Sequence, residues 1–67
     1  MSSEERFAKV RLRLESHGWQ LVRISGSHHI FHGEGRPLLS IPVHNGRVKR
    51  VYVKEVERAI ARLGTGE

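Results

Sequence analysis

The chain has 67 residues with twelve Lys/Arg, seven Asp/Glu, five His and no cysteine, giving a formal charge of +5. At that length the chain (1–67) is one domain burying only about 60% of its unfolded surface, which excludes a second core, a disulfide staple and a thiolate metal site. The basic excess favours a polyanionic partner. The lack of a membrane-length apolar run, and a charged MSSEER opening without a signal-peptide core, lead us to expect a cytoplasmic protein with no membrane partner.

Residues 4–16, EERFAKVRLRLES, place Phe7, Val10 and Leu14 on one helical face among charges. Ser2 or Ser3 supplies a cap, Ser2 to Glu5 has capping-box spacing, and Gly18 stands where a left-handed stop residue belongs. WQLVRI (19–24) is rich in strand formers and ends at a Ser-Gly-Ser break. HHIFH (28–32) reads as a second strand, closed by the turn-forming GEGRP. LLSIPVH (38–44) reads as a third, with Pro42 marking an edge position or a bulge near its end.

Asn45-Gly46 then forces a turn. Val53, Val56, Ile60 and Leu63 define a last helix over about 53–63, ended by Gly64, with RVKRVY as its basic approach. The expected fold is α+β: helix, three antiparallel strands, helix, with both helices on one face of the sheet. The other face stays open. The Gly-Thr-Gly-Glu tail is expected to fray.

Successive strand side chains alternate in facing. If Phe31 packs beneath the helices, His29 points inward with it, while His28, Ile30 and His32 face the open side. A metal site fails on this geometry: His28 and His32 are roughly 13 Å apart at about 3.3 Å per residue, too far to share one zinc. Histidine is also the side chain suited to proton transfer near neutral pH. Metal-free RNA cleavage needs a base for the 2′-hydroxyl, an acid for the leaving 5′-oxygen, and cations for the phosphorane. Arg23, Arg47, Lys49, Arg50 and Lys54 can supply the cations, and three of residues 47–50 are basic.

Trp19 reads as core more than as a stacking platform, Tyr52 as either. Glu55 and Glu57 read as surface partners of arginines on the helix. Ser27 lacks an oxyanion site or any aspartate that would make it a hydrolase nucleophile. The residues leave three functions open: an RNA-cleaving enzyme, a non-catalytic RNA-binding module, and an interaction protein using its sheet.

HGW, VRISGSHHIF and IPVH, in that order between two helices, resemble the HicA family of toxins. The likeness spans about residues 4 to 64. It implies a double-stranded-RNA-binding-like αβββα fold, translation-independent mRNA cleavage without a cofactor, and neutralisation by a HicB-type antitoxin. Gly26, Ser27 and His28 match the family's Gly-Ser-His, whose histidine is taken to be catalytic. His29 is a looser match, because some members place their single histidine after an intervening residue. Pro42 and His44 match the third-strand ending. The chain departs from the family in running RVYV where Gly-Thr often precedes the last helix.

Overall fold

The computed structural model describes residues 4–65. They form, in order, β1 (Glu4–Arg6), α1 (Phe7–Glu15), β2 (Gln20–Ser25), β3 (His28–Gly33), β4 (Arg36–Pro42), β5 (Arg47–Lys49) and α2 (Arg50–Thr65). Strands β2, β3 and β4 make an antiparallel sheet in that order, and β1 pairs antiparallel with β5 in a second, two-stranded sheet. The α+β class and the three-stranded sheet are as the sequence predicts. Pro42 does lie in an edge strand, β4.

Alternation and helical spacing converge on one core. Val10 and Leu14 of α1, Phe31 of β3, Ile41 of β4, Val48 of β5, and Val56 and Ala59 of α2 are buried around Trp19. Each large side chain taken out of water contributes about 1.5–3 kcal/mol. Trp19 is fully buried and its Nε1–H donates to the Pro37 carbonyl at 2.9 Å, so it packs the core and has no face free for a base. Tyr52 is half-buried against the same cluster.

Several boundaries differ from the sequence reading. The first helix starts at Phe7, not at residue 4: Glu4, Glu5 and Arg6 extend and pair with Lys49, Val48 and Arg47. Tertiary pairing overrides the helix propensity of Glu-Glu-Arg here, with Glu4 set opposite Lys49 and the Phe7 N–H donating to the Gly46 carbonyl at 2.8 Å. Arg6 is the extended N-cap residue and makes no side-chain cap; the expected Ser2 and Ser3 caps, like the end of the Gly-Thr-Gly-Glu tail, lie outside the described residues. Second, the basic approach 47–49 is a strand whose alternation buries Val48 and exposes Arg47 and Lys49. Third, α2 begins at Arg50 and continues through Gly64 to Thr65, so RVYV is its first turn and Gly64 does not stop it. The third sheet strand spans 36–42, leaving His44 in a lone bridge with Arg47.

One close approach locks the α1–β2 loop to the β3–β4 hairpin. A Cβ on Gly33 would collide with the Gly18 carbonyl oxygen, and Gly18 itself holds φ +97°. Arg36 seals the junction, its Nε–H donating to the His17 carbonyl at 2.7 Å with the guanidinium 5.8 Å from the Trp19 ring. Because the obstacle at Gly33 is backbone, Gly33→Ala is expected to destabilise the domain by about 1–3 kcal/mol. Chemical denaturation of the two proteins reads this directly; an unchanged midpoint would mean the two loops separate at no cost.

Candidate active site and cationic surface

The tip that carries the paired histidines is a two-residue hairpin, with Ser25 opposite His28 and Gly26–Ser27 as the turn. Gly26 takes φ +60° while Ser27 stays at negative φ, the pattern of a type II′ turn, which demands glycine at its first central position. The Ser27 carbonyl is held twice, by the Val43 N–H at 2.7 Å and by His29 Nδ1 at 3.2 Å. Gly26 and Ser27 therefore shape and anchor the turn.

The two histidines part company as the alternation predicts. His29 is half-buried, its ring centroid 4.6 Å from that of Phe7, whose ring in turn meets Phe31 at 6.1 Å in a tilted arrangement. A carbonyl only accepts, so the contact with Ser27 fixes the proton of His29 on Nδ1. His28 is exposed on the other face. Pro42 lies directly across from it on β4, and its Nδ1 is 3.2 Å from the Ser40 hydroxyl one pair further along that strand.

A bulge puts a cation on this face. Leu21 pairs with Phe31, but Arg23 rather than Val22 pairs with Ile30. Residues paired across antiparallel strands share a face, so Arg23 joins Ile30 and His28 on the open side. Without the extra residue at Val22, Arg23 would face the helices. His28 thus has Ser25 and Pro42 directly beside it, with Arg23 and Ser40 on the diagonals. Leu38, 64% exposed, shares this face farther along β4.

The other cations do not gather around His28. Arg47 stands opposite Arg6 across the β1–β5 pair, and both line an open groove of about 420 Å³ with Phe7, Ala8, Asn45 and Gly46. Lys49 is set against Glu4, while Arg50 and Lys54 are exposed on α2. The groove neighbours the histidine hairpin, because Phe7 bonds Gly46 on one side and packs on His29 on the other. Arg6 was hidden in the sequence by its apparent place inside a helix. The Asn45–Gly46 turn is as expected: φ is +53° and +72°, and His44 and Arg47 exchange backbone hydrogen bonds across it.

Among the described residues no three His, Asp or Glu side chains gather as a metal ion would require, and no helix is long and apolar enough to cross a membrane. The family model for the HicA toxin of bacterial toxin–antitoxin systems matches residues 7–64, most of the chain. The chain belongs to the HicA toxin family. Its members are commonly mRNA interferases, and a toxin of this kind implies an antitoxin partner. No curated protein and no solved structure matches the chain. The matched span opens at Phe7, the residue where the first helix begins, and covers both histidines and the whole three-stranded sheet.

Proposed function

We infer that this HicA toxin is an endoribonuclease that cleaves mRNA without a metal, using His28 as general acid or base, and that a HicB-type antitoxin neutralises it in the cytoplasm. The observation that carries the reading is the position of His28: exposed at a hairpin tip, on the same face as Arg23, with one ring nitrogen engaged by Ser40. In the reaction the 2′-hydroxyl loses its proton, the 2′-oxygen attacks the adjacent phosphorus, and the departing 5′-oxygen takes up a proton. His28 moves a proton at one of these oxygens, and Arg23 stabilises the charge that builds on the phosphoryl group. His29, held by Ser27 and Phe7, supports the hairpin. Expressing the intact gene should arrest growth, and the gene carrying His28→Ala should not. Arrest by both would leave a non-catalytic RNA-binding module as the better reading.

Phosphate contacts fall to Arg47, Lys49, Arg50 and Lys54, with Arg6 added because it shares the groove of Arg47. Neutralising Arg47, Lys49 and Arg50 together should weaken RNA binding evenly across sequences. The slope of log affinity against log salt should flatten by up to about 0.7 for each phosphate that is no longer neutralised on single-stranded RNA. An acidic antitoxin surface covering the same cations would lose association rate in this variant. An unchanged salt slope would assign those side chains to a merely solvated surface and send the RNA elsewhere on the domain.

A further inference from the structure

We propose that Ser40 is a positioning residue for His28, holding the imidazole through Nδ1 so that Nε2 is the nitrogen that exchanges protons with RNA. The inference rests on the reading of His28 given above and names the part of the machinery that reading leaves open.

Register brings the two residues together. His28 pairs with Pro42 and Ile30 with Ser40, so Ser40 is the diagonal neighbour of His28 on the open face. Its Oγ lies 3.2 Å from Nδ1. Pro42, directly opposite, presents a ring with no polar side-chain group, which leaves Ser40 as the β4 side chain that orients the imidazole. From β2, Ser25 stands opposite and Arg23 on the diagonal; from β3 itself, Ile30 and His32 share the face.

The chemistry of the pair selects one arrangement for catalysis. A serine hydroxyl accepts from Nδ1–H in the neutral ring and again in the imidazolium. With Nδ1–H engaged, the neutral ring offers its lone pair at Nε2, and the protonated ring offers N–H at the same atom. Ser40 therefore keeps the reactive nitrogen the same whichever proton transfer His28 performs. His29 has the same device with a different acceptor, the Ser27 carbonyl. Of the two neighbours, it is the exposed His28 that has the hydroxyl.

The test compares wild type, Ser40→Ala, Ser40→Thr, His28→Ala and the double variant His28→Ala/Ser40→Ala on one RNA substrate. Nitrogen NMR of the His28 ring accompanies the kinetics. Ser40→Ala should lower kcat about three- to tenfold at unchanged KM, the range of one ordinary hydrogen bond. It should also shift the neutral ring away from the Nδ1–H tautomer. Ser40→Thr, which keeps the hydroxyl, should restore both. The double variant should be no slower than His28→Ala, since Ser40 acts only through that ring. A tautomer and kcat indifferent to Ser40→Ala, or an equal loss in the His28→Ala background, would overturn the proposal. Full activity of His28→Ala would overturn the catalytic reading instead, and the NMR result would still report whether Ser40 holds the ring.

Discussion

His28→Ala is expected to lower RNA cleavage by about 10²- to 10⁴-fold, the contribution of a positioned general acid or base. Its fold should be intact, because the side chain is exposed on the open sheet face and its polar contact is with the exposed Ser40 hydroxyl. His29→Ala should show the reverse balance. Its ring is wedged against Phe7 and ties down the Ser27 carbonyl, so its removal strips packing from the hairpin and from the start of α1. A loss of about 1–3 kcal/mol in stability, with a smaller loss of rate, is the expected outcome. Cleavage by wild type should survive a strong chelator. Purified variants assayed for cleavage and for melting decide the matter. If His28→Ala cleaves like wild type, or if His29→Ala is the inactive and stable one, the roles of the two histidines are wrongly assigned.

That difference between neighbouring histidines was legible in the sequence because it depends only on parity. Once Phe31 is taken as core, a period of two sends His29 inward and His28 outward, and the buried Phe31 bears this out. The helical face of Phe7, Val10 and Leu14 was legible for the same kind of reason. What could not be read depends on pairing between distant residues. Glu4–Arg6 and Arg47–Lys49 are three residues each, too short for alternation to register, and become strands only by meeting one another. The bulge at Val22 leaves no mark in QLVRIS, yet it alone brings Arg23 to the face of His28. Ser40 carries no motif in the sequence, and only the β3–β4 register sets it beside an imidazole. Helix ends slipped for a related reason: Gly64 is a stop signal in isolation, but α2 continues past it to Thr65.

Trp19→Ala is expected to unfold the domain outright. Removing a buried aromatic of this size costs about 3–5 kcal/mol, and the core of a chain this short supplies rarely more than about the same amount. Trp19 is fully buried and belongs to the hydrophobic cluster, so the cavity would open within that core. The Pro37 carbonyl would lose its donor and Arg36 the ring beneath its guanidinium, loosening the junction with Gly18 and Gly33 as well. Trp19→Phe separates these effects: it keeps much of the bulk and loses the Nε1–H bond, so it should remain folded with a lower denaturation midpoint. Leu12→Ala serves as the control, since Leu12 is 67% exposed and its loss should stay within about 0.5 kcal/mol. Trp19 is the single tryptophan, so its fluorescence vanishes with the substitution and circular dichroism must follow the unfolding. The expected order of stability is wild type and Leu12→Ala together, Trp19→Phe below them, and Trp19→Ala without a cooperative transition. A cooperative Trp19→Ala melt close to that of wild type would mean the indole sits over the core without holding it, and the centre of packing would then have to be sought around Phe31 and Ile41.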